Sequence, residues 1–145
     1  MTNDRNASIA ALLLRVSMGA MFLAHSVLLK IMEFTPAGTA QYFESIGYPG
    51  FLAYVVIAAE LGGGLLLIAG IRVRWVSLAF IPLMIGATLQ HVPNGWMFGY
   101  EGGGWEFPVF WTVALAALAL LGNGALSAER LLVPARESEA VPALA

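Results

Sequence analysis

The sequence predicts an all-α integral membrane protein: a four-helix bundle with a short interfacial helix after the first span. Three observations carry this reading. Hydrophobic residues make up 59% of the 145 positions and charged residues only 11%. A soluble domain carries about 25% charge, so this chain has too few charges to cover a water-facing surface. The apolar residues also fall in runs of about 20, the length that crosses a hydrocarbon core of roughly 30 Å. One domain is expected at this length, with residues 1–130 forming the membrane domain and 131–145 a flexible cytoplasmic tail. The formal net charge of −2 names no partner, and no basic patch points to nucleic acid. Cysteine is absent, which excludes disulfides, thiol redox chemistry and cysteine-ligated zinc or iron–sulfur clusters.

The first span is read as Ile9–Met32. It is longer than the 7–15-residue core of a signal peptide and lacks a small-x-small cleavage site, so it is expected to be retained. Its flank, Thr2 to Ser8, is expected to be disordered or interfacial. Thr35 can cap a following helix and Pro36 can occupy its first position. The segment Pro36–Ile46 is too short to span and places Ala37, Ala40 and Phe43 on one face, as an interfacial helix does. Gly47-Tyr48-Pro49-Gly50 ends it. The second span is Phe51–Ile71 and the third is Val76–Val92. The connection between them is short, so they form an antiparallel hairpin. Pro82 predicts a kink in the third span, tolerated because neighbouring helices re-satisfy the freed carbonyl. A glycine- and aromatic-rich loop, Pro93 to Trp105, leads to the fourth span, Glu106–Leu121. Gly122-Asn123-Gly124 stops it. No internal repeat is evident. Gly19, Gly62-Gly63-Gly64, Gly70 and Gly86 are read mainly as small faces for close helix approach.

Lysine and arginine bias sets the orientation. With four spans, Arg5, Arg72, Arg74, Arg130 and Arg136 fall on one side, and the opposite loops contain no arginine. Both termini and the tight hairpin turn are therefore expected in the cytoplasm. The interfacial helix and the aromatic loop, with Trp96, Tyr100 and Trp105, are expected outside.

Ionisable side chains at bilayer depth cost about 2.5–3.5 kcal/mol each on insertion scales and usually face the bundle interior. Arg15 lies about two turns inside the first span, and His25 about 15 Å further along. Lys30 and Glu33 stand at its outer end. Glu60 is near the middle of the second span, Gln90 and His91 close the third, Asn94 follows, and Glu106 opens the fourth. Antiparallel alternation brings His25, Lys30, Gln90, His91, Asn94 and Glu106 to the outer half of the bundle, with Glu60 below them. These residues and Arg15 are the ligand-binding or proton-relay candidates, and a pocket at their level is the expected site. No catalytic residue stands out. Plainer readings stand beside these. Lys30 and Glu33 equally fit a snorkelling surface pair. Arg15 fits a buried pair with Glu60, and a direct or water-mediated contact is expected. Glu106 alone is better explained as a charge complementing the helix dipole, and His91 as a hydrogen-bonded loop residue. No phosphate loop, dinucleotide fingerprint, HExxH zinc motif or serine triad is present, and no metal site is expected.

Several stretches resemble the DoxX family of small bacterial membrane proteins: LLLRVSMGAMFLAHSVLLK, AELGGGLLLIAGIRVRW, LQHVPNGW, GGGWEFPVF and LLGNGALS. The resemblance covers roughly Ala11 to Arg130, with Ser26 standing where many relatives have glycine. It implies a four-span protein of the bacterial inner membrane with a link to respiratory or redox metabolism, since the family name derives from a subunit associated with a quinone-linked thiosulfate oxidoreductase. No reaction follows from it.

Three functions fit. The first is a redox-associated protein, a membrane oxidoreductase or a subunit of one, holding a quinone-like ring in the outer-half pocket. The chain has no electron carrier of its own, so a partner subunit or bound cofactor would supply electrons. Haem between His25 and His91 is a minor alternative. The second is a non-catalytic membrane subunit or anchor for a partner complex, in a hetero- or homo-oligomer. The third is a small-molecule or proton transporter using Glu60 and the histidines as a relay.

Overall fold

A computed structural model describes residues 2–132, and among these every regular element is helical. Helix α1, Thr2–Ala24, begins well before the expected first span, so the flank expected to be disordered or interfacial is helical. From His25 to Glu33 the same rod continues as a π-helix. Helix α2 is Pro36–Ser45, α3 is Phe51–Ala69, α4 is Val73–His91, α5 is Glu106–Leu121 and α6 is Ala128–Leu132. The helices Asn3–Glu33, Phe51–Ala69 and Val73–Asn94 are each long and apolar enough to cross a membrane, and α5 is a shorter apolar helix of 16 residues. This is a membrane helical bundle. Its perimeter carries exposed Leu13, Leu65, Phe110 and Leu120, as a hydrocarbon-facing surface does. Arg136 and the rest of the expected tail beyond Leu132 lie outside the described residues.

Local chemistry sets the helix ends. Thr35 Oγ1 accepts from the Gly38 N–H at 3.1 Å, and Pro36 follows at the first helical position, as the sequence predicts. Thr39 Oγ1 donates to the Lys30 carbonyl at 3.1 Å, tying α2 back onto the π-segment. Gly70, with φ 73°, ends α3 in the left-handed conformation that glycine adopts most easily.

Helix α3 packs mainly on α1, and α4 mainly on α5. Where α1 crosses α3, a Cβ on Gly19 would lie 2.6 Å from the Gly64 carbonyl oxygen, so these two glycines set the closest approach. Gly62 and Gly86 do not act this way, because a Cβ on either would meet nothing within 4 Å. The core is aromatic at its centre. Phe22 stacks on Phe80 with centroids 3.9 Å apart and meets Trp111 edge-on at 5.0 Å. Met18, Leu67, Leu115 and Leu118 fill the space towards the α3–α4 turn.

Candidate functional site

The π-winding positions one wall of the site. In an α-helix, residues five apart diverge by about 140°. Hydrogen bonds to the fifth residue back, such as Phe34 N–H to the Leu29 carbonyl at 2.8 Å, draw such residues onto one face instead. His25 and Lys30 thereby turn to the same side. Ser26 Oγ donates to the Ile57 carbonyl at 3.1 Å and fixes this segment against α3.

Lys30 Nζ donates to both carboxylate oxygens of Glu60, at 2.9 and 2.8 Å. The Glu60 side chain is 5% exposed and that of Lys30 18%. Two charges so far from water are held by each other. An ammonium group has three donors, so one N–H of Lys30 remains for another acceptor.

Above Glu60 lies a cavity of about 510 Å³, within the range of small-molecule sites. His25, Lys30, Glu60, Gln90 and His91 reach its wall, among apolar and aromatic side chains that include Phe43, Val56, Leu83, Phe107 and Trp111. His25 Nδ1 is 3.0 Å from the Met21 carbonyl oxygen. His91 Nδ1 is 3.1 Å from the carbonyl oxygens of both Gly102 and Gly103. A carbonyl only accepts, so each Nδ1 carries the proton, and in the neutral ring Nε2 is the acceptor. The Trp111 ring stands edge-on to His25 at 5.1 Å.

Five of the eight residues singled out in the sequence thus meet at one cavity, and three do not. Asn94 Nδ2 donates to the Gly102 and Gly103 carbonyls at 2.9 and 3.0 Å and folds the aromatic loop. Glu106 accepts from the Phe98 N–H at 2.9 Å and pins the same loop to the start of α5. Arg15 lies at the opposite end of the bundle. Its guanidinium donates to the carbonyls of Leu67, Ala125 and Leu126, each at 2.9 Å, and to that of Ile68.

The expected Arg15–Glu60 contact is therefore not formed. The Gly19–Gly64 crossing puts Arg15 level with Ile68, eight positions (68 − 60) or roughly 12 Å from Glu60. Lys30 takes Glu60 instead, which also removes the surface pair with Glu33. Sequence reasoning missed Tyr48, whose hydroxyl accepts from Gln90 Nε2 at 3.3 Å over the cavity. It also missed Phe107 and Trp111, whose i, i+4 spacing at the start of α5 was the available signal.

Residues 10–92 match the model of the DoxX family. A relative named "Putative oxidoreductase CatD" in Bacillus subtilis (strain 168) is 41% identical over 87 residues, 59% of this chain and 62% of that protein. "Inner membrane protein YqjF" of Escherichia coli (strain K12) is 34% identical over 97 residues, 66% of this chain and 73% of that protein. The match thus spans less than two thirds of the length of the Bacillus protein. No solved structure matches.

Proposed function

The chain belongs to the DoxX family, and on that premise we propose that it is a redox-associated inner-membrane protein that holds a quinone-like ring in the cavity beside His25 and His91. The observation that carries the reading is the set of hydrogen-bonding groups at one apolar cavity. The spare N–H of Lys30 is a donor for a ring carbonyl of the oxidised form. The Nε2 acceptors of His25 and His91 suit the hydroxyl groups of the reduced form. Phe107 and Trp111 supply flat apolar contact for the ring. The name of the Bacillus relative, "Putative oxidoreductase CatD", agrees with this reading. Electrons would come from a donor outside the chain, and the Lys30–Glu60 pair at the cavity wall would exchange protons with the ring.

Purified protein extracted with organic solvent should release a quinone detectable by mass spectrometry. A decyl-substituted benzoquinone should quench tryptophan fluorescence saturably. His25→Ala and His91→Ala should each weaken binding of its reduced form about tenfold, the value of roughly one hydrogen bond. Absence of both co-purified quinone and saturable quenching would overturn the proposal. A stoichiometric partner protein without ligand would support an anchoring subunit instead, and proton-coupled uptake into liposomes a transporter.

A further inference from the structure

We propose that the cavity opens sideways to the bilayer between α3 and α4, and that its ligand is an amphiphile whose ring sits inside while an apolar tail leaves between Val55 and Gly86. The inference rests on the quinone-like reading of the cavity and adds the tail and the route.

Consecutive helices joined by a tight turn usually pack along their length, but α3 and α4 do not, each lying mainly against another helix. One close contact between them is at the middle of the two helices, where the Phe80 ring occupies the space that a Cβ on Gly63 would fill. From there towards the aromatic loop, both helices line the cavity. Val55 lies roughly 12 Å beyond the Gly63–Phe80 contact along α3, and Gly86 roughly 9 Å beyond it along α4, so the two lie at a similar level on the cavity wall. Val55 lines the cavity and is also 54% exposed on the perimeter. Pro82 likewise lines it and is exposed. Such residues lie at the edge of the cavity, and Val55 and Pro82 lie within the apolar helices α3 and α4. None of Val55, Pro82 and Gly86 carries a hydrogen-bonding side chain, so the rim suits an alkyl or isoprenoid chain. Tyr48 and Phe98, at the end towards the aromatic loop, also line the cavity and are exposed, but that edge carries the Tyr48–Gln90 hydrogen bond, whereas the α3–α4 edge carries no hydrogen-bonding side chain. A cavity of about 510 Å³ takes a ring head with part of a chain, and a longer isoprenoid chain extends beyond it.

Gly86 allows a test with little cost to folding, since an added side chain there enters open space. Gly86→Leu narrows the gap from α4, and Val55→Phe narrows it from α3. Equilibrium binding is measured by calorimetry in detergent for two probes: a decyl-substituted dimethoxy-methyl-benzoquinone and the same ring without the chain. The expected result is that each variant melts near the wild-type temperature, binds the tailed probe about tenfold more weakly, and binds the tail-less ring within about twofold of wild type. Equal loss for both probes, or no loss for either, overturns the sideways opening while leaving the quinone reading intact. Wild-type protein that binds neither probe overturns the quinone reading, and this inference with it.

Discussion

Lys30 and Glu60 form an ion pair that bridges the π-segment and the centre of α3, with both carboxylate oxygens engaged at 2.9 and 2.8 Å. Removing one partner leaves a charge with no counterpart at bilayer depth, which typically costs about 3–5 kcal/mol. Lys30→Met and Glu60→Gln should therefore each lower the melting temperature in detergent, and the double variant should lose less than the sum. Arg15→Ala should also destabilise, because the orphaned Leu67, Ala125 and Leu126 carbonyls each had a charged donor. Its loss should add to that of Glu60→Gln, since the two residues share no partner. Non-additivity in the Arg15–Glu60 cycle, or strict additivity in the Lys30–Glu60 cycle, would contradict this wiring.

The sequence announced helix ends and polar content more clearly than partners. Thr35-Pro36 and Gly122 encode caps through local chemistry, and the structure uses both. The descent of five polar residues on one cavity follows from antiparallel alternation. What a single sequence does not encode is the register between helices. That register depends on where Gly19 meets Gly64, and reading it from span ends misplaced Arg15 by roughly one turn, enough to put it beyond the reach of Glu60. The π-winding from His25 to Glu33 is equally silent. It arises from a one-residue shift in backbone hydrogen bonding, and it is what turns Lys30 towards Glu60. The loop that buries Gly104 against the Trp96 and Met97 carbonyls depends on side chains of Asn94 and Glu106 that looked like site residues.

At the other end of the bundle, Glu129 caps the start of α4. Its carboxylate accepts from the Arg72 N–H at 2.7 Å and from Asn123 Nδ2 at 2.8 Å. The backbone hydrogen bond first, and the Asn123 bond second, hold its pKa below the ordinary carboxylate value. A carboxylate with a lowered folded pKa contributes stability that is present above its unfolded value and is lost as pH falls through the folded one. Melting temperature measured from pH 6 down to pH 3 should therefore fall more steeply in wild type than in Glu129→Gln. Parallel curves would mean that the cap contributes nothing to the acid limb.

Charge bias and the placement of the loops together predict topology. Arg72 and Arg74 flank the α3–α4 turn, while the loop from Gly95 to Trp105 contains no basic residue. With both termini cytoplasmic, a cysteine replacing Gly99, which has open space around it, should react with an impermeant thiol reagent added to intact spheroplasts. A cysteine replacing exposed Arg74 should react only after permeabilisation. The absence of native cysteine makes the background clean. Labelling in the reverse order would invert the orientation.

Two glycines of similar sequence context should respond in opposite directions to alanine. At Gly19 a Cβ would press on the Gly64 carbonyl oxygen at 2.6 Å and on Ile68, and backbone cannot swing aside as a side-chain tip can. Gly19→Ala must part α1 from α3, and overpacking of this kind costs about 1–3 kcal/mol. It also shifts the helix that carries Arg15, His25 and Lys30, so affinity for the proposed quinone-like ligand should fall with stability. At Gly62 a Cβ meets nothing within 4 Å, and the position lies inside α3. Gly62→Ala restricts the unfolded chain without straining the folded one, which should stabilise by about 0.4–1 kcal/mol. Thermal melts of the two variants in the same detergent decide the matter. Destabilisation by Gly62→Ala as large as that by Gly19→Ala would mean that a partner outside this chain packs on the Gly62 face.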